Sequence, residues 1–374
     1  MNEVPERALE LRVVGKIAVT RSSTHILFIV LVMLLSACAT TPGVLQYQSA
    51  LKLNEPAIVW PVPPEPARFR YVGELTGEEN FKIPDQAARS TLKKIVEWVA
   101  GFAFGQEPPV ILQRPQGGMV DAQGRIYVTD ISRQAVYVFD QPGGKLQVWE
   151  MAGEALRFGS PIAVALGKHD EILVTDAQLG LVVRLNNLGQ PVGSFGKGQL
   201  QRPTGLARDV QNGRIYVADS QAHDVKVFDD DGALITTLGK KGEKEGTFNS
   251  PTHLAFANGA LYVSDTLNSR IQVLTPQGDV KAVFGRRGLF VGDMPRPKGV
   301  AVDKDGYIYV VESYYDHLLV FSTQGELMLP IGGTGSGIGQ FYLPAGVWVY
   351  NNFIYIADMF NGRVVVLEFL GEKA

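Results

Sequence analysis

The sequence predicts an all-β fold, a β-propeller of six blades that is closed by a strand from the N-terminal part of the chain. Three observations lead to this prediction. Runs of β-branched and aromatic residues, bounded by Asp, Asn and Gly, fill the chain beyond residue 110. One unit occurs six times, at a spacing of 42 to 48 residues. The last unit lacks a fourth strand, and a segment that matches one lies before the first unit.

The repeating unit begins with a proline. A short apolar strand follows, then a polar turn, then a second strand that ends in an acid, a third strand and a glycine-containing turn. The spacing of the prolines fits one four-stranded blade per copy. The prolines are Pro115, Pro161, Pro203, Pro251, Pro297 and Pro344, and the acids are Asp130, Asp176, Asp219, Asp265, Glu312 and Asp358. Because the acids recur in every copy, we interpret them as capping the next turn and not as a metal-binding ring.

The predicted propeller covers residues 68–374. Its blades span about residues 113–155, 156–200, 201–248, 249–294, 295–341 and 342–370.

The sixth copy ends too close to the C-terminus for a fourth strand. Without that strand, the sixth blade would have an unpaired edge. Residues 68–77 are similar to the fourth strands at 233–239 and 279–285, so we expect them to complete the sixth blade. This closure favours six blades over five or seven. Residues 85–104 carry apolar side chains at helical spacing, which predicts one amphipathic helix inserted on a face of the disc.

The N-terminal part is typical of a secretory signal. An apolar run at residues 26–35 follows Arg21 and precedes two small residues, Ser36 and Ala37. The run is too short for a permanent transmembrane helix, which needs about 20 apolar residues. Residues 1–37 are therefore predicted to be a signal peptide.

Residues 35–38, Leu-Ser-Ala-Cys, resemble the lipobox of bacterial lipoproteins. The resemblance implies cleavage before Cys38, the one cysteine of the chain, and a lipid on its sulfur that anchors the protein in the membrane. Ala39 stands where inner-membrane retention signals usually have Asp, so the resemblance implies an exported protein on the outer membrane, facing the periplasm. Residues 38–67, rich in proline, are expected to form a tether.

The repeats resemble NHL repeats, in which Pro-x-Gly-(Ile/Val)-Ala is followed by a strand ending Val-x-Asp and then by Asn-x-Arg-(Ile/Val)-x-Val-Phe. The best local match is at residues 264–273, and the resemblance covers about residues 110–370. It implies a propeller. Six-bladed relatives include peptidyl-amidating lyases, which hold a metal with histidines, and gluconolactonase-like hydrolases, which hold a divalent cation.

Composition excludes several kinds of site. The formal net charge is −3, and a single cysteine permits neither an internal disulfide nor a cysteine-rich zinc site. No nucleophile elbow, His-Glu-x-x-His pattern or phosphate loop is present. The sequence therefore predicts no catalytic residue, no metal ligand set and no cofactor, and nucleic acid is not an expected partner.

Candidate functional residues are those at which one copy departs from the others. At the second position after the proline, five copies have Gly or Ala and the fourth has His253, which could bind a metal, act as a base or pack in the channel. At the fourth position, Met119 and Trp348 replace alanine in the first and last blades, either as packing at the seam or as a ligand pocket.

A basic cluster lies near the junction of the fourth and fifth blades. It comprises Arg286, Arg287, Arg296 and Lys298, and it either binds an acidic group or is a solvated loop. The function expected from these features is a lipid-anchored, monomeric binding or scaffold protein of the cell envelope that presents one propeller face to a protein, peptide or glycan. The alternative is a metal-dependent propeller enzyme, either lyase-like or lactonase-like.

Overall fold

The computed structural model describes residues 42–49, 56–83 and 108–371. Six antiparallel sheets follow one another along the chain, and each presents its inner strand to the inner strand of the next sheet. The inner strand of the sixth sheet contacts that of the first, so the sheets close into a ring. The predicted six-bladed β-propeller is confirmed.

Each blade has four main strands. The inner strands are Pro115–Val120, Pro161–Leu166, Pro203–Asp209, Pro251–Ala257, Pro297–Val302 and Val347–Tyr350. The second strands are Ile126–Asp130, Ile172–Asp176, Arg214–Asp219, Ala260–Asp265, Ile308–Glu312 and Phe353–Asp358. The third strands are Ala135–Asp140, Leu181–Leu185, Asp224–Asp229, Arg270–Leu274, His317–Phe321 and Arg363–Phe369. The outer strands are Lys145–Trp149, Pro191–Phe195, Leu234–Leu238, Val280–Phe284, Leu327–Gly332 and Phe69–Leu75.

Several shorter elements accompany the four main strands of the blades. Val44–Leu45 pairs with Phe81–Lys82, which is distant in sequence, and Met151–Gly153 forms a short hairpin with Leu156–Arg157. Val59–Trp60 adds a fifth strand to the sixth blade. Single 3₁₀ turns are Glu78–Asn80, Lys168–Asp170, Thr266–Asn268 and Met359–Asn361.

The closing strand is confirmed. Phe69–Leu75 pairs antiparallel with Arg363–Phe369, from Val364 opposite Leu75 to Phe369 opposite Phe69. Phe69 is buried in the core on one side of the sixth blade and Leu75 in the core on the other side. These residues are six positions apart, and they face opposite sides because the register shifts between Val366 and Leu367 of the partner strand. The closure joins the first and last described parts of the propeller in one sheet.

Part of the predicted tether lies on the propeller. The amide of Gly43 donates to the carbonyl of Gly144 at 2.9 Å, and Gln48 exchanges backbone hydrogen bonds with Glu74. Residues 42–49 therefore follow the outside of the ring at the junction of the sixth and first blades. The predicted signal peptide, Cys38 and the predicted helix at residues 85–104 lie outside the described residues.

The cores lie between adjacent blades, because the strands of each blade bury side chains on both faces. The largest fully buried side chains include a tyrosine on the second strand of alternate blades: Tyr127, Tyr216 and Tyr309. The hydroxyl of Tyr309 donates to Asp303 at 2.8 Å, so its polar end is satisfied.

The acids that end the second strands cap the next turn, as predicted, and they also bond the loop that precedes the inner strand. Asp130 accepts hydrogen bonds from the amides of Gln113 and Arg114, at 2.7 and 2.8 Å, and from the two amides of Ser132 and Arg133. Asp176 makes the equivalent bonds in the next blade. These carboxylates hold the start of each inner strand against the turn that leaves the second strand.

The ring has two faces. The face where the inner strands begin also carries the turns between second and third strands, and we call it the proline face. The opposite face, here the turn face, carries the turns between third and outer strands, such as Gln141–Gly144. Since Gly43 bonds to Gly144, the chain reaches the described ring at the turn face.

Candidate functional site

The inner strands approach one another so closely that most of them need glycine at the second position after the proline. A Cβ placed on Gly117 would lie 2.9 Å from the carbonyl oxygen of Ile162, and one on Gly205 would lie 2.9 Å from the backbone of His253. Gly299 meets the backbone of Val347 in the same way. The small residues at this position are therefore required by packing.

His253 departs from this pattern and carries a buried polar atom that lacks a partner. Its Nδ1 lies 3.1 Å from Oγ1 of Thr252, and its Nε2 is buried with no hydrogen-bond partner among the described residues. Burial, and then the positive charge of Lys298, lower the pKa of His253 to about 3. The imidazole is therefore neutral at physiological pH.

A chain of hydroxyls fixes the tautomer of His253. The hydroxyl of Thr266 donates to the carbonyl of Pro297 at 2.8 Å, so it can only accept from Thr252, whose Oγ1 lies 2.6 Å away. The hydroxyl of Thr252 has one hydrogen, which it donates to Thr266, so Nδ1 of His253 must donate to the Thr252 oxygen. Nε2 is left as a bare acceptor that faces no donor of the described protein.

Trp348 and Met119 do not join His253 in one pocket. Trp348 packs in the core between the sixth and first blades, where its ring stacks on Tyr355 with centroids 5.6 Å apart. A Cβ on Gly118 would collide with that ring. Met119 packs against the separate core between the first and second blades. Both contacts correspond to the packing interpretation of these residues.

The predicted basic cluster divides into three parts. Arg286 pairs with Asp293, with Nε 2.8 Å from a carboxylate oxygen. Arg287 and Arg296 line an open cleft. Lys298 lies on the fifth inner strand and is half-buried. Only the last three cations lack a carboxylate partner among the described residues.

The cleft has a volume of about 480 Å³ and lies on the proline face between the fourth and fifth blades. Its walls combine the two arginines with aromatic and aliphatic side chains, and Tyr314 and Tyr315 meet edge to face with centroids 4.9 Å apart. The lining residues are Leu267, Ser269, Arg287, Gly288, Leu289, Pro295, Arg296, Tyr314 and Tyr315. Two arginines without a carboxylate partner among the described residues, beside two tyrosines, are suited to an external ligand.

An exposed apolar loop borders the cleft. Leu289, Phe290 and Val291 are exposed by 84%, 76% and 64%, which is unusual for three successive apolar residues. A second cavity of about 270 Å³ lies on the other side of this loop and shares Leu289 and Tyr315 with the cleft. The loop thus separates two hollows on the same face.

Sequence reasoning missed the tyrosines of the cleft. They follow Glu312 in a turn where the other blades have residues such as Ser132 and Gln178. Two successive aromatic residues at a solvent-exposed turn were the signal that could have identified them. The repeat pattern instead indicated positions on the inner strands, two and four residues after the blade proline.

Lys298 is the second unusual group of the channel. No hydrogen bond or ion pair joins its amine to the described residues, and burial followed by the positive charges of Arg296 and Arg114 lowers its pKa. Arg114 precedes the inner strand of the first blade and Arg296 that of the fifth. Both arginines thus stand at the end of the channel where the inner strands begin.

No group of three His, Cys, Asp or Glu residues within the described ranges is arranged to hold a metal ion. Among the same residues, no helix is long and apolar enough to cross a membrane.

Comparison with known proteins supports the fold. A family model described as a 6-bladed beta-propeller matches residues 299–373, and the NHL repeat model matches residues 200–228. The chain is 31% identical over 128 residues to protein brain tumor of Drosophila melanogaster, and the match covers 33% of this chain and 12% of that protein. The chain thus spans about an eighth of the length of this curated relative.

Two solved structures illustrate the likeness. An auxiliary nutrient binding protein from Bacteroides thetaiotaomicron aligns with a TM-score of 0.57 and 13% identity, over 70% of each chain. A gluconolactonase from Xanthomonas campestris aligns with a TM-score of 0.52 and 18% identity, over 70% of this chain and 89% of its own. At such identities the likeness concerns the fold alone. The chain is a six-bladed β-propeller that carries NHL repeat sequence.

Proposed function

We propose that the chain is a lipid-anchored binding protein of the cell envelope whose proline face takes up an acidic segment of a protein or peptide. The cleft between the fourth and fifth blades carries this proposal. Arg287 and Arg296 stand in it without carboxylate partners among the described residues, beside Tyr314 and Tyr315. Arginine and tyrosine in a concave, partly apolar surface are the side chains that dominate protein recognition.

The exposed apolar loop beside the cleft also supports partner binding at the proline face. Leu289, Phe290 and Val291 offer apolar area beside the arginines, and the burial of such area supplies affinity while the charges speed encounter with an acidic partner. The turn face is different, because many of its charged groups are already paired, as in Arg208 with Asp230 at 2.7 Å.

The enzyme alternative finds less support in the chemistry of the channel. A general base works best when its pKa lies near the working pH, whereas His253 has a pKa of about 3. Its neutral Nε2 is better suited to accepting a hydrogen bond than to accepting a proton.

The test is capture of a partner by the full chain, purified in detergent, from a detergent extract of the cell envelope. The double variant Arg287→Glu, Arg296→Glu should lose the captured partner, because it reverses the charge of the cleft. The matched control is Lys145→Glu, Lys281→Glu, at exposed lysines toward the other face. Equal capture by both double variants would contradict the proposal. Lipidation is tested separately: Cys38→Ser should release the chain from membranes, and its retention there would contradict the anchor.

A further inference from the structure

The long loops before the fourth and sixth blades are each filled by an arginine side chain. Arg270 begins the third strand of the fourth blade and lies opposite Asp265, the acid that ends the second strand. Its Nε donates to Asp265 at 2.8 Å, and an outer nitrogen donates to the carbonyls of Lys244 and Thr247 in the loop, at 2.9 and 3.0 Å. Arg363 makes the same contacts in the sixth blade, with Asp358, Gly337 and Gln340.

The fifth blade has the same loop but no such arginine. The amide of Met294 donates to the carbonyl of Arg286, and the loops of the fourth and sixth blades are closed by the same bond at the same spacing. The residue that begins the third strand is His317, opposite Glu312. The cavity of about 270 Å³ is lined by these two residues and by residues 289–293 of the loop. It corresponds to the place that the arginine side chain takes in the two neighbouring blades.

The cavity presents acceptors that lack the donors found in the neighbouring blades. Glu312 is buried and accepts three backbone amides, but no cation of the described residues pairs with its carboxylate. The amide of Asp293 bonds the carbonyl of Phe290, as the corresponding amides do in the neighbouring loops, so the carbonyls of these two residues match the two that accept from arginine there. Burial lowers the pKa of His317, so its imidazole is neutral at pH 7 and adds no positive charge. A planar cation with several N–H donors fits this arrangement.

We propose that this cavity takes up the guanidinium of an arginine of the bound partner, with the Glu312 carboxylate as its counter-charge and the loop carbonyls as acceptors. The inference rests on the proposed binding of a partner at the proline face. The cleft on the other side of residues 289–291 carries Arg287 and Arg296 and suits an acidic group. The bound segment therefore has an acidic residue for the cleft and an arginine for the cavity, on the two sides of the exposed apolar loop.

The test is isothermal titration calorimetry of the full chain, in detergent at low ionic strength, with the amides of N-acetyl-arginine, N-acetyl-citrulline and N-acetyl-lysine. Citrulline has the shape of arginine without its charge, so we expect it to bind at least about tenfold more weakly, the effect of one charge-assisted hydrogen bond. The lysine derivative should also bind more weakly, because an ammonium lacks the planar fork that reaches the carboxylate and the loop together. Binding of either derivative as tight as that of the arginine derivative, or no saturable binding of the arginine derivative, would overturn the proposal.

The variant His317→Arg gives the fifth blade the residue that the fourth and sixth blades have. Its side chain should fill the cavity from within, abolish binding of the arginine derivative and raise the melting temperature, because the loop gains the bonds that it lacks. Gln324→Arg is the matched control, since it adds the same charge at an exposed position on the turn face of this blade, and it should bind as the original chain does. Original affinity in the His317→Arg variant would overturn the assignment.

A second variant keeps the test decisive if His317→Arg folds poorly. Glu312→Gln keeps an oxygen for the backbone amides but removes the charge, so it should weaken binding of the arginine derivative by at least about tenfold. Original affinity in this variant would also overturn the assignment.

Capture of the envelope partner separates this inference from the proposed function. His317→Arg should lose the partner, as the double variant of the cleft does. Full capture by His317→Arg, together with loss in the cleft variant, would overturn the inference and leave the proposed function intact. Equal capture by the cleft variant and its control would contradict the proposed function, whereas the titration would still decide whether the cavity binds a guanidinium.

Discussion

Removal of the Arg363 guanidinium should loosen the closure of the ring. This buried side chain donates to Asp358 at 2.8 Å and to Glu74 of the closing strand at 2.7 Å, and it also bonds the carbonyls of Gly337 and Gln340. Asp358 is fully buried. The arginine therefore joins the N-terminal strand, the third strand and the preceding loop through one charged group.

The cost of Arg363→Met follows from what it leaves behind. A buried carboxylate without its cation costs about 3–5 kcal/mol. With a shift of about 2 °C per kcal/mol for a domain of this size, the melting temperature should fall by about 6–10 °C. Burial already raises the pKa of Asp358, so its protonation at acid pH removes the unpaired charge. The difference between the two proteins should therefore shrink as the pH falls toward 4.

The measurement is urea and thermal unfolding followed by circular dichroism, at neutral and acid pH. Arg70→Met is the matched control, because Arg70 pairs with Glu368 across the same two strands but is exposed. An exposed pair contributes about 0–1 kcal/mol. Equal losses in the two variants, or a loss below about 1 kcal/mol for Arg363→Met, would refute the role of this network in closure.

Two other substitutions test the packing of the ring. Gly205→Ala should destabilise the fold by about 1–3 kcal/mol, because its Cβ would press on the backbone of His253. Gly193→Ala is the control and should cost little, because the nearest atom to its Cβ is 3.8 Å away. Equal unfolding midpoints for the two variants would contradict the close approach of the inner strands. Tyr309→Phe should cost about 1–3 kcal/mol because Asp303 loses a buried donor, while the exposed Tyr314→Phe should not. Burial raises the pKa of Tyr309, so stability should fall as the pH rises above about 10, where the unfolded chain ionises first, and this loss should be smaller in the phenylalanine variant.

The blades and their closure could be predicted because they depend on local, repeated chemistry. A proline begins the inner strand, a strand-ending carboxylate caps the neighbouring loop, and a seven-residue strand of alternating burial completes the last sheet. The added strand Val59–Trp60 and the hairpin at residues 151–157 were missed, because two or three residues carry no periodic signal.

The candidate site was only partly predictable. His253 departed from the repeat and Lys298 belonged to a basic cluster, so the sequence could single them out. The sequence did not show that Nε2 of His253 is buried without a partner among the described residues, because the packing of neighbouring inner strands decides this. Nor did it show that Arg286 is neutralised by Asp293 while Arg287 is left without a partner, since the fold of their loop decides this.

Site-specific photo-crosslinking in cells should show whether partners bind at the proline face. A photoreactive amino acid replaces Tyr314 on the proline face or Leu188 on the turn face, both of which are exposed. We expect a discrete adduct from position 314 that disappears with Arg287→Glu, Arg296→Glu, and none from position 188. An adduct from position 188 alone, or one from position 314 that survives the charge reversal, would contradict it.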